Sequence, residues 1–233
     1  MGSTRLPGKA LTMIKGKPML DHVLRRVQSA RSVNSTVVAT TNQPQDDAIV
    51  EFCRMNECDF FRGSEDDVLD RYRMAAREFE ADVVVRITSD CPLIDPAAID
   101  ATVRAFLDAQ PSVDYAANTL EPRTFPRGLD VEVMSCSALE KAWKEDKDPA
   151  SREHVTPYIY RHPESFALHR VQNDRDASRF RWTVDTPEDL TFVEEVYQSF
   201  DDDDFGQSEV LSLLEKRPEL TRINADVQQK SIK

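Results

Sequence analysis

No stretch of this chain approaches the roughly 20 consecutive apolar residues that a bilayer-spanning helix needs. Its opening residues, Met1-Gly2-Ser3-Thr4-Arg5, lack the apolar core of a secretory signal. Both absences point to a cytoplasmic protein without membrane insertion. There is no Pro/Gly/Ser-rich linker and no internal repeat, so 233 residues read as one large domain with appendages. The four cysteines, Cys53, Cys58, Cys91 and Cys136, have no paired metal-ligand spacing and no histidine cluster beside them, which leaves them as reduced structural thiols. Positive charge is scarce too: a net charge of -12 excludes a protein built to coat a nucleic acid polymer. The scarcity is uneven, because residues 1–31 hold seven Lys and Arg against Asp21 alone. That segment is +6 and the remainder -18. A basic opening on an acidic body suits a small polyanion.

Short apolar runs alternate with helical patterns, the signature of an α/β fold with a mostly parallel sheet. Thr36–Thr41, Cys58–Arg62 and Asp82–Thr88 read as strands, the last nearly continuously apolar as a central strand is. Helices are expected from Pro18, with Leu20, Val23, Leu24 and Val27 on one face, and over Pro44–Met55, Asp66–Phe79 and Pro96–Ala109. Further on, Asp114–Ala117 and Gly128–Met134 read as strands, the latter with Leu129, Val131 and Val133 inward and Asp130 and Glu132 on the other face. Ser137–Lys147, Arg152–Arg161 and Pro187–Phe200 are expected as helices, Phe166–Val171 and Phe180–Val184 as strands. We divide the chain into a main domain over 1–200 and, over 201–233, an acidic cluster (Asp201–Asp204) and a polar tail with one weak helix near Ser208–Lys216.

Three places carry chemistry. Met1 to Lys9 is a loop with two glycines, two hydroxyls, Arg5 and Lys9, the composition of a triphosphate cradle, although its spacing is not that of a Walker P-loop. Arg86-Ile87-Thr88-Ser89-Asp90-Cys91-Pro92 ends the central strand, where open α/β sheets bind ligands, and Asp90 there suits Mg²⁺. Val184-Asp185-Thr186-Pro187-Glu188-Asp189 runs a strand into a helix. Thr186 and Asp189 form a capping box there, and Asp185 is free of that duty. Each motif also has a structural reading: a basic leader, a turn cap, a helix start.

In these runs, together with Phe61-Arg62-Gly63-Ser64-Glu65-Asp66-Asp67-Val68-Leu69-Asp70-Arg71, Pro126-Arg127-Gly128-Leu129-Asp130-Val131-Glu132 and Arg152-Glu153-His154-Val155-Thr156, the chain resembles the spore-coat polysaccharide cytidylyltransferases. These are relatives of the synthetases of CMP-linked ulosonic and sialic acids. The resemblance covers about residues 1 to 200. It implies a Rossmann-like nucleotide-diphospho-sugar transferase fold, with Ser3, Arg5 and Lys9 on the CTP phosphates and Asp90 and Asp185 on Mg²⁺. It further implies that the Thr40 and Ser64 neighbourhoods line a base pocket and that Arg127, Asp130 and His154 face the sugar. Arg86, at the end of the central strand, is counted with the nucleotide contacts. Two departures stand out: Ser89 where the family usually has Gly, and a start at Met1 where relatives carry an apolar first strand ending in Ala-Arg. A sheet lacking its first strand is therefore expected.

The expected activity is transfer of CMP from CTP to an acidic or otherwise unusual sugar, releasing pyrophosphate and yielding a nucleotide-sugar for surface polysaccharide or glycan biosynthesis. CTP and a small sugar are the partners, Mg²⁺ the cofactor, and a homodimer is compatible with this reading. Positioning and charge neutralisation carry such a reaction, so no side-chain nucleophile is expected. The alternatives are a glycosyltransferase of related fold, disfavoured because Asp90 is followed by Cys91-Pro92 instead of completing an Asp-x-Asp, and an inactive nucleotide-binding protein.

Overall fold

The computed structural model describes residues 5–229. After a single 3-10 turn at Lys9–Leu11, β1 (Met13–Ile14) and β2 (Lys17–Pro18) form a short antiparallel ribbon that leads into α1 (Met19–Gln28). Then come β3 (Val37–Thr41), α2 (Asp47–Met55), β4 (Asp59–Gly63), α3 (Val68–Glu78), β5 (Val83–Arg86) and α4 (Pro96–Asp108). The second half holds β6 (Tyr115–Ala117), β7 (Glu132–Ser135), α5 (Cys136–Glu145), α6 (Pro149–His154), α7 (Pro157–Arg161), β8 (Leu168–Arg170), α8 (Pro187–Gln198) and α9 (Gln207–Lys216).

β3 and β4 pair in parallel. The larger sheet has the order β5-β7-β6-β8, with β6 and β8 parallel and β7 antiparallel to both of its neighbours. Among the described residues no strand joins β3 to β5. Helix α1 packs against both sheets: Leu20 and Leu24 meet Val38, Ile49 and Cys53, whereas Val23 and Val27 meet Val83, Val85 and Ile99. The i, i+3, i+4 spacing read in the sequence is thus one apolar face divided between two sheets. β5 alternates as a strand covered on both sides does, Val83 and Val85 toward α1 and α4, Val84 toward Leu69 and Leu139 of α3 and α5.

Three expectations are corrected. Asp130 and Glu132 do not share an outer face: the strand begins only at Glu132, which is 5% exposed. With both faces of β7 buried, this carboxylate is satisfied internally, by Arg86 directly opposite in register, by the Tyr115 hydroxyl at 2.6 Å and by the Thr156 hydroxyl at 2.6 Å. Phe180–Val184 is not a ladder strand. It touches its neighbour through an isolated bridge between Arg127 and Arg181, close enough that a Cβ on Gly128 (φ 101°) would lie 2.5 Å from Trp182 C and Thr183 N. Finally, the helix expected over Arg152–Arg161 is broken into α6 and α7 at Val155, a β-branched residue at φ 73°.

The segment after residue 200 is packed: Phe205, Val210, Leu214 and Leu220 share a core cluster with Trp182, Val184 and Phe192, and in the acidic cluster Asp203 receives Lys17 at 2.6 Å. Among the described residues no helix is long and apolar enough to cross a membrane.

The Arg86–Glu132 pair sets a stability prediction. Arg86→Met leaves Glu132 buried without its cation, and breaking a buried pair from one side costs about 3–5 kcal/mol. For a domain of this length the melting temperature should fall by on the order of 10 °C. An unchanged thermal melt would show that the pair is not structurally required.

Candidate active site

Gly8, in the left-handed region (φ 72°), turns the chain into the Lys9–Leu11 turn and sends the Lys9 side chain toward the ends of two distant segments. Its ammonium donates to Asp90 Oδ2 at 2.8 Å, to Asp185 Oδ1 at 2.9 Å and to the Val184 carbonyl at 3.0 Å. All three donors of the ammonium are engaged. The two acidic segments are also tied to each other, Val184 N–H and the Thr183 hydroxyl both donating to the Asp90 carbonyl at 2.8 and 3.1 Å. Thr88 donates to Asp90 Oδ1 at 2.5 Å.

Asp185 meets two more cations, Arg5 at 3.1 Å and Arg181 at 2.8 Å, both on Oδ2. Arg181 is itself fixed by Asp189, whose carboxylate takes the guanidinium at 2.8 and 3.0 Å and the Asp185 and Thr186 amides at 3.0 and 3.1 Å. The capping box read from the sequence is present, and it does a second job by holding the residue beside Asp185. From the far end of the chain Asn224 adds bonds to Asp189 Oδ1 (3.0 Å) and to the Arg181 carbonyl (2.9 Å).

Burial opposes both charges of the Lys9–Asp185 pair, but the pair outweighs it. Asp90 and Asp185 together hold the Lys9 ammonium above the ordinary lysine pKa, while Lys9, Arg181 and Arg5 hold the Asp185 carboxyl below the ordinary carboxylate value.

Beside Lys9 lies a cavity of about 220 Å³ bounded by Val38, Thr40, Thr41, Asp46, Arg71 and Ser89. Asp46 is 2% exposed and accepts from the Thr40 and Thr41 hydroxyls at 2.8 and 2.7 Å and from the Thr41 amide at 3.0 Å. Although burial pushes its pKa up, hydrogen bonding, to which these threonine bonds contribute, holds the carboxyl well below the usual range. Arg71 is anchored by the Ser64 carbonyl at 2.5 Å, while its buried Nε has no partner. Thr40 lines this cavity, whereas Ser64 does not and reaches it only through the bond of its carbonyl to Arg71; Asp46 and Arg71 line it without having been assigned a role from the sequence.

The other expected residues are placed as follows. Arg86 is engaged with Glu132 and does not line the cavity. Asp130 accepts from Arg123 and from the Gly128 amide. Arg127 runs beside Arg181, its amide donating to the Phe180 carbonyl at 3.0 Å. His154 ends α6, a helix held to the start of α3 by Arg152 and Asp67 at 2.6 Å. Ser3 lies outside the described residues. All four cysteines are unpaired, as expected.

Among the described residues no group of three or more His, Cys, Asp or Glu could hold a metal. A divalent ion here would have Asp90 and Asp185 as its protein ligands and take the rest from substrate oxygens and water. Two hard carboxylates already gathered around one cation, the Lys9 ammonium, fit Mg²⁺ on that pattern.

A cytidylyltransferase family model matches residues 1–232. An uncharacterized protein of Methanocaldococcus jannaschii is 37% identical over 232 residues, covering 99% of this chain and 93% of that protein. The spore coat polysaccharide biosynthesis protein SpsF of Bacillus subtilis is 34% identical over 230 residues, 94% of this chain and 92% of that one. Among solved structures, a cytidylyltransferase from Leptospira borgpetersenii superposes with a TM-score of 0.91 at 34% identity, covering 99% of this chain and 95% of its own. The matches extend through the tail, beyond the residues that carried the resemblance in the sequence. The fold is that of the nucleotide-diphospho-sugar transferases, as expected.

Proposed function

The chain belongs to the cytidylyltransferase family, and on that premise we propose that it transfers CMP from CTP to a sugar acceptor with release of pyrophosphate, in surface polysaccharide or glycan biosynthesis. The observation that carries this reading is the Lys9 ammonium set between Asp90 and Asp185 at the mouth of the Thr40–Asp46–Arg71 cavity. The cavity takes the nucleoside, and Lys9 and Arg5 meet the phosphates. A hydroxyl oxygen of the acceptor forms the new bond to the α-phosphorus as the bond to the bridging oxygen of the β-phosphate breaks, the hydroxyl proton passes to solvent, and pyrophosphate leaves with the negative charge. Asp90 and Asp185 would hold Mg²⁺, which would supply neutralisation of phosphate charge. The protein's part is positioning and preorganised positive charge, with no covalent intermediate. The acceptor is an acidic or otherwise unusual sugar facing Arg127, Asp130 and His154.

A screen of nucleoside triphosphates against candidate sugars tests this directly. Pyrophosphate should appear only with CTP and an acceptor together. Release of a nucleoside diphosphate from a nucleotide-sugar would instead mark a glycosyltransferase.

Base selection gives a second test. Cytosine presents acceptors at O2 and N3, whereas uracil carries a hydrogen on N3. Arg71, which lines the cavity, would favour cytosine by donating from its guanidinium to N3, where uracil carries a hydrogen. A bond from a charged donor contributes about 1.5–3 kcal/mol. Arg71→Met should raise the KM for CTP at least roughly tenfold and narrow the CTP/UTP preference. Unchanged discrimination in initial-rate assays would remove Arg71 from base reading.

A further inference from the structure

Arg181 borders a second cavity, of about 430 Å³, enclosed by the 178–182 segment, α8 and the 221–229 tail. In a chain of net charge -12, no Asp or Glu among the described residues lines it, whereas Arg127, Arg179 and Arg181 all do. Of the three, only Arg181 is ion-paired among the described residues. Arg179 lies over the Phe180 ring at 4.5 Å. Arg127 is half-buried, and burial together with Arg123 and Arg181 depresses its pKa, so its charge is held at a cost that an anion would relieve. Trp182, 1% exposed, forms part of the wall and has a buried Nε1–H without an acceptor. Arg127 and Arg179, outside any ion pair among the described residues and with no carboxylate among the lining side chains, make a site for a phosphate or carboxylate group.

We propose that this cavity is an anion-binding site that takes the phosphate or carboxylate group of a small organic molecule on Arg127 and Arg179. Arg181 connects it to the proposed reaction centre, because the same guanidinium that borders the cavity donates to Asp185. Two sources share the required chemistry, the acid group of the acceptor sugar and a separate phosphorylated metabolite. Binding is measured without turnover, so the proposal stands or falls apart from the transfer reaction.

The chain has two tryptophans, and Trp143→Phe leaves Trp182 as the sole reporter inside the cavity wall. In that background, inorganic phosphate and, separately, a 2-keto-3-deoxy sugar acid are titrated while Trp182 emission is followed. At least one should give a saturable change with a Kd of about 1 mM or tighter. Arg127→Met and Arg179→Met should each weaken that binding about tenfold, and Lys9→Met should leave it in place. Binding of the sugar acid alone assigns the site to the acceptor; binding of phosphate, alone or in competition with the sugar acid, assigns it to a phosphorylated ligand or a shared anion subsite. No saturable change with either, equal binding in the arginine variants, or loss of the signal in Lys9→Met would each overturn the proposal. Arg179 is exposed, so its variant tests the site even where Arg127→Met disturbs folding.

Discussion

Asp185→Asn is expected to lower CMP transfer by on the order of 10²–10³-fold, the scale seen when one preorganised charge-stabilising group is lost, and Asp90→Asn should do the same. The substitution keeps side-chain volume and replaces the anionic oxygen by an amide. It removes the partner of Lys9, Arg5 and Arg181 in one step and, on the proposed reading, one of the two protein ligands of Mg²⁺. Pyrophosphate release at limiting and saturating Mg²⁺ measures the loss, and near-wild-type rates in both variants would sink the metal assignment. Acid melts give an independent check. The folded-state pKa of Asp185 is depressed, so its stabilising contribution is present above the ordinary carboxylate value and is lost as pH falls through the folded value. The gap in melting temperature between wild type and Asp185→Asn should therefore be full near neutral pH and close as the pH drops below about 4.

Position along the strands made Asp90 and Asp185 legible: each follows an apolar run and precedes a helix start. That Lys9 would join them, across 81 and 176 residues, followed from the composition of its loop and not from any local pattern. Asp46 and Arg71, the latter the end of a run that carries the resemblance, were assigned no role because each sits in what reads as the polar part of a helical pattern; only the fold turns them inward. Glu132 misled for a related reason. Alternation of apolar and polar residues signals an outer face only when one side of a sheet is wet, and β7 is covered on both sides. Arg86 after three valines in one run and Glu132 between two valines in another were the available signal of a buried pair. Val155 at positive φ runs against intrinsic preference, so no propensity argument could have split the helix there. Phe205, Val210, Leu214 and Leu220 were spread too thinly along a polar segment to reveal that the tail completes the core around Trp182.

Lys9→Met should separate the two tasks of this residue, lowering turnover on the order of 10²–10³-fold while strengthening the binding of a divalent cation to the nucleotide-free protein. The loss follows from the proposed contact of Lys9 with the departing pyrophosphate, where positive charge contributes more as negative charge develops. The gain follows from geometry. The ammonium stands against Asp90 Oδ2 and Asp185 Oδ1, so an ion reaching both carboxylates must displace it. Two unit charges about 4 Å apart interact by about 4 kcal/mol near a protein surface, so removing that cation should tighten Mn²⁺ binding at least roughly tenfold. Met fills much of the space of the lysine stem, and Arg5 and Arg181 remain to offset Asp185, which keeps the fold from being the limiting factor. Without a cation, however, Asp90 loses its ion-pair partner, and Mn²⁺ should raise the melting temperature of the variant more than that of the wild type. Calorimetric titration with Mn²⁺ in the absence of CTP reads the affinity, and pyrophosphate release reads the turnover. Equal or weaker Mn²⁺ binding in Lys9→Met would mean that the carboxylates do not bind the metal where the ammonium now lies. In the wild type, the same competition makes the order of assembly a consequence of charge. On the proposed reading, the nucleotide's phosphates would draw Lys9 away and leave Asp90 and Asp185 free to hold the ion that accompanies them.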